Sequence, residues 1–200
     1  MFRLIGLLAA VLAVLPQPAQ AHLVTTRFGD FYGGMLHPLL GVEYVLPWLA
    51  LGLLAGLHGE KAGRWVTVAF PIGVALGIAL SLIAPSPERL LVSVNLLSFV
   101  IIGALVVVAR PLASPLLVAI GTVFGAVQGW ENALAIDTGT NAGLFGAGVT
   151  VVSYIVITLV TAAAVVALQR AHWVRIAVRA AGSWITAIGL MTVGTRLIPV

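Results

Sequence analysis

His37 and Glu43 on one apolar stretch, and Gln128, Glu131 and Asn132 on another, are the side chains with which this chain could do chemistry. Asn95, on a third apolar stretch, completes the set. A carboxylate in hydrocarbon is costly, so it faces a partner, a cavity or an ion path. One imidazole, two carboxylates and three amides form a hard, oxygen-rich set of metal ligands, and His37 with either glutamate could also act as acid and base. The chain has no cysteine, which excludes thiolate ligation and disulfides. The competing reading is structural: an interhelical hydrogen-bond network that glues a bundle, at about 1 kcal/mol or less per bond.

The elements that position these residues follow from composition. Of 200 residues, 61% are hydrophobic and 8% are charged, whereas about a quarter are charged in a soluble domain. Mean hydropathy is +1.16. This is the composition of an integral membrane protein. A net charge of +4 does not point to a nucleic acid partner, because the arginines are scattered between apolar runs. Residues 1–21 carry Arg3, an apolar run from Leu4 to Leu15 and the small-residue pattern Ala19-Gln20-Ala21, which reads as a cleavable signal peptide with the mature chain beginning at His22. Residues 22–200 then hold six apolar runs, at 33–56, 65–84, 90–109, 116–136, 144–168 and 174–198. Each has the length of about 20 residues that a spanning helix needs. The expected fold is all-α: a compact bundle of six transmembrane helices, with no separate soluble domain. Pro38 and Pro47 in the first run each remove a backbone donor, so that helix is expected to be broken and to expose carbonyls, the alternative being a helix that is only kinked, with Glu43 protonated and hydrogen-bonded to a neighbour.

Charge sets the orientation. Lys61, Arg64, Arg110, Arg170, Arg175 and Arg179 fall on one side, and Arg27, Arg89 and Arg196 on the other. The positive-inside rule and the signal peptide agree: the mature N-terminus lies outside a bacterial-type inner membrane that the chain crosses several times. With that topology His37 and Glu43 lie about 6 and 15 Å in from the outer end of the first helix, and Glu131 about 8 Å below the outer end of the fourth. Asn95 enters from outside to a similar level. Gln128, Glu131 and Asn132 share one helical face. The six residues therefore converge in the outer half of the bundle, around an outward-opening polar cavity. Three stripes of small residues are suited to close packing: Gly121, Gly125 and Gly129; Gly73 and Gly77; Gly52 and Gly56. His58, Glu60, Lys61 and Arg64 read as a solvated inner loop, and Asp137 as turn chemistry.

His37-Pro38-Leu39-Leu40-Gly41-Val42-Glu43-Tyr44 resembles the H-P-x-x-G-x-D-H signature of the HupE/UreJ family, hydrogenase and urease accessory membrane proteins regarded as nickel permeases. Gly125 to Glu131, GAVQGWE, is similar in its frame to that family's H-G-x-A-H-G-x-E motif on the fourth helix. The resemblance implies a signal peptide, six spans and metal transport. Where the family has Asp-His this chain has Glu43-Tyr44, and where it has the fourth-helix histidines this chain has Phe124, Ala126 and Gln128. A site with one imidazole suits Mg²⁺ or Mn²⁺ better than a histidine-rich site would, and could serve protons or a small polar solute.

The function expected is a HupE/UreJ-like permease for a divalent metal cation, nickel by resemblance, with His37, Glu43, Glu131, Gln128, Asn132 and Asn95 as the ligand set. No permanently bound cofactor is implied, and the partners are the lipid bilayer and the transported cation. The alternative is a non-transporting membrane accessory or scaffold protein. An enzyme is disfavoured, since no H-E-x-x-H, G-x-S-x-G or nucleotide-binding loop is present.

Overall fold

The computed structural model describes residues 20–84 and 88–197; residues 1–19, which hold most of the expected signal peptide, lie outside them. Among the described residues the chain is all-helical: α1 (Gln20–Leu40), α2 (Val42–Leu57), α3 (Gly59–Ser81), α4 (Glu88–Val108), α5 (Ser114–Ala133), α6 (Ala142–Arg170) and α7 (Val174–Leu197). Long apolar runs have no other way to satisfy their backbone in lipid. Three stretches are long and apolar enough to cross a membrane: α3, α6 and the Val174–Thr195 part of α7. The pair Gly29–Leu40 and Val42–Leu57 makes a fourth if counted as one bent span. Val92–Val108 of α4 is a shorter apolar helix. Side chains such as Ile72, Val123, Leu159 and Ile176 point outward and are exposed, which a bundle solvated by lipid tails requires.

The first apolar run is broken rather than only kinked. It is two helices bent by 78°, and the break falls at Gly41, which is extended at φ −96°, ψ 118°. Pro38 and Pro47 both lie inside helices, so the prolines are not where the chain breaks. The ring of Tyr44 folds back onto Gly41, where a Cβ would stand 2.5 Å from Tyr44 Cδ2. Only glycine leaves room for that ring. Pro47 still matters, because it offers the Glu43 carbonyl no i+4 donor.

The loop expected at 57–64 is also mostly helix. Gly59, at φ 81°, makes the turn, and α3 starts there with Glu60 and Arg64 paired at 3.1 Å one turn apart. His58 is tied inward rather than solvated. Its Nδ1 lies 2.8 Å from the Leu54 carbonyl, and its Nε2 accepts the Leu112 N–H at 2.9 Å. The ring thus fastens the α2–α3 corner to the α4–α5 connection.

Helix α3 packs most extensively on α5, α4 on α7, and α6 on α1, α2 and α3. The α3–α5 contact is backbone to backbone: a Cβ on Gly77 would fall on the Ala126 carbonyl oxygen, and one on Gly129 on that of Val74. Such approach is how helices associate where burial from water supplies no driving force. Trp48, Phe70, Phe99, Leu51, Leu54, Leu117 and Ile157 fill the centre and are fully buried.

Candidate functional site

The break at Gly41 creates the site. It ends α1 just after His37 and starts α2 just before Glu43, so both residues sit at helix ends rather than along one continuous face. Glu43 occupies the first turn of α2, where a carboxylate complements the helix dipole. The Tyr44 ring comes within 5.3 Å of the His37 ring, centroid to centroid. Phe145 of α6 flanks the same imidazole at 5.8 Å.

A cavity of about 410 Å³ opens beside this break. His37, Glu43 and Tyr44 line it from the broken pair, Glu131 from α5, Leu96 and Phe99 from α4, and Thr192 from α7. Glu43 is exposed and Glu131 is 7% exposed. His37 Nε2 is buried with no hydrogen-bond partner among the described residues. One imidazole, two carboxylates and a phenol therefore line a single cavity.

The other three expected ligands form a separate layer. Trp48 Nε1 donates to Gln128 Oε1 at 2.9 Å, Gln128 Nε2 donates to Asn95 Oδ1, and Asn132 Nδ2 donates to the Gln128 carbonyl at 2.8 Å. All three amides are essentially without exposure. They join α2, α4 and α5 beside the cavity. Asn132 Oδ1 and Asn95 Nδ2 remain without hydrogen-bond partners among the described residues. The six residues are therefore brought into one region but in two groups, with His37, Glu43 and Glu131 lining the cavity and Gln128, Asn95 and Asn132 buried behind its wall. Among the described residues no three His, Asp or Glu side chains gather closely enough to hold a metal ion by themselves.

Below the amides lies an aromatic layer. The Phe70 ring meets Trp48 edge-on at 5.5 Å and stacks on Phe124 at 5.6 Å. Trp48, Phe145 and Thr192 are absent from the ligand set expected from sequence. Trp48 carried a signal, since indole N–H needs a partner when buried; Thr192 carried none, because its hydroxyl donates to the Ile188 carbonyl at 2.9 Å in the ordinary helical way. Asp137 is turn chemistry: its Oδ1 accepts from the Gly139 N–H at 2.9 Å and the Thr140 hydroxyl at 2.8 Å.

Comparison with curated proteins and with solved structures returned no match. The sequence model of the family described as HupE / UreJ protein matches residues 9–192, nearly the whole chain. That span takes in the broken first pair, the α5 polar face and every other wall of the cavity, and on it the chain belongs to the HupE / UreJ protein family.

Proposed function

We propose that this chain is a six-span permease of the inner membrane that takes up a divalent metal cation, with the cavity at the α1–α2 break as its outward-facing binding site. The observation that carries the reading is the meeting of His37, Glu43 and Glu131 on one cavity of about 410 Å³, in a chain with only six acidic residues in all. The six spans are the broken α1–α2 pair and α3 to α7, with α4 and α5 as the short members. Orientation follows from the arginine bias and from the signal peptide, which is removed before His22.

Nickel is the cargo that the family resemblance favours. The donor set of one imidazole with carboxylate, amide and carbonyl oxygens also accepts Mg²⁺ or Mn²⁺, because only the imidazole adds selectively for the later transition metals. Uptake of Ni²⁺, Mn²⁺ and Mg²⁺ by cells expressing the wild type and Glu43→Gln tests the reading. Accumulation of one of these ions by the wild type and its loss in Glu43→Gln is the expected result; no accumulation by the wild type would sink it.

The buried group favours a second reading. Trp48, Gln128 and Asn95 lock three helices together whether or not anything passes, as a scaffold would require. A scaffold predicts that Glu43→Gln changes stability at most and that no metal accumulates with either protein.

A further inference from the structure

A second cleft lies on the other side of the aromatic layer, between α3 and α6. It measures about 280 Å³ and is lined by Glu60, Arg64, Thr67, Thr158, Thr161 and Gln169, with small apolar residues between them. Its charged mouth is at the end of the bundle that carries His58. From Gln169 to Thr158 is eleven residues of α6, about 16 Å of helix, which is roughly half the hydrocarbon thickness. The cleft stops one helical turn short of the aromatic layer on two sides, since Thr67 precedes Phe70 on α3 and the Thr161 hydroxyl faces the Gly52 carbonyl, one turn beyond Trp48 on α2, at 3.4 Å.

The deep end of the cleft is under-satisfied. Thr122, Thr150, Thr186 and Thr192 each donate to the carbonyl four residues back, which is the ordinary fate of threonine in a membrane helix. Thr158 does not. Its Oγ1 is buried with no hydrogen-bond partner among the described residues, and the Thr161 contact is long. Six of the nine residues that line the cleft are polar, from Glu60 and Gln169 at the mouth to Thr158 at the deep end, a lining that suits water better than an acyl chain.

The geometry points to this cleft as the hydrated inner exit of the transport path, held apart from the outer cavity by Trp48, Phe70 and Phe124. The inference rests on the permease reading above. It makes the described structure the outward-open state, with a seal of about two turns, the length of α2 from Tyr44 at the cavity to Gly52 at the cleft. Glu60 and Arg64 at the mouth pair with each other and leave the passage without net charge, so a cation released from the carboxylates of the outer cavity meets no second trap on the way in.

Because the chain has no native cysteine, single cysteines report on water directly. Ala162 lines the cleft, and its neighbour Ala163, at the same depth, does not; both are exposed side chains. In inside-out vesicles a charged, membrane-impermeant thiosulfonate should modify Ala162→Cys at least about tenfold faster than Ala163→Cys, because the thiolate that reacts forms only in water. Val166→Cys, which lines the cleft, against Ala167→Cys repeats the comparison one turn nearer the mouth, should either alanine variant fail to fold. Equal, slow rates in both pairs would mean that lipid tails fill the cleft and would overturn the proposal. Wild-type Ni²⁺ and Mg²⁺ uptake separates the two readings: uptake with equal rates removes the exit and keeps the outer cavity, while absence of uptake removes both.

Discussion

Trp48 Nε1 donates to Gln128 Oε1 across 2.9 Å, and this bond joins the broken α1–α2 pair to α5 beside His37, Glu43 and Glu131. Both side chains are without any solvent exposure. Gln128 passes the connection on to Asn95 of α4, so three helices meet through one amide.

Replacing Trp48 by Phe keeps a ring in the aromatic layer but leaves Gln128 Oε1 buried and unpaired. The expected loss is about 1–3 kcal/mol, the cost of an unsatisfied buried acceptor. Gln128→Leu strands the Trp48 N–H and the Asn95 carbonyl together and should cost more. Thermal unfolding of the detergent-solubilised variants checks the order; equal melting temperatures for wild type and Gln128→Leu would mean that the network does not stabilise the bundle.

Glu43 is exposed on the cavity wall and begins α2, so Glu43→Gln should remove uptake while changing the melting temperature little. Glu131→Gln also removes a charge from the cavity and should abolish uptake as well. His37→Ala should reduce Ni²⁺ uptake more than Mg²⁺ uptake, because imidazole favours the later metal. A uniform loss for both ions in His37→Ala would assign His37 to packing against Tyr44 and Phe145 instead of to the ion.

Gly129→Ala forces a methyl group onto the Val74 carbonyl. Overpacking of this kind costs about 1–3 kcal/mol, and the α3–α5 pair should open first. Gly194→Ala is the control, since nothing lies within 4 Å of a Cβ there. Melting in detergent should separate the two, and an unchanged Gly129→Ala would mean that the helices can slide apart at no cost.

His58→Ala removes the acceptor of the Leu112 N–H. Hydrogen exchange followed by mass spectrometry should show faster exchange in peptides covering residues 109–113, with α3 and α5 unaffected. Exchange unchanged in those peptides would show that the connection is held by its flanking helices alone.

What the sequence by itself determined is the composition of a helical membrane bundle and the phase of residues within one helix. Gln128, Glu131 and Asn132 at spacings of three and four must share a face, and that face is buried. Glycines four residues apart, Gly73 and Gly77 on α3 and Gly121, Gly125 and Gly129 on α5, announce close approach, and the two helices do touch backbone to backbone. The tertiary structure alone decided what faces that polar stripe, because the partners of Gln128 lie 80 and 33 residues away and helical phase says nothing about the neighbouring helix. It also decided where the first span breaks. Proline predicts a lost hydrogen bond, but Pro38 and Pro47 are absorbed within helices, and the bend falls at Gly41 because the Tyr44 ring can fold back only where no Cβ stands. That bend resets the phase between His37 and Glu43, while the division of the ligand set into a cavity group and a buried amide group comes from how α4 and α5 pack against α2. His58 shows the same limit: its sequence neighbours Glu60, Lys61 and Arg64 are polar and exposed, and only the approach of a connection 54 residues away turns the ring into a tie.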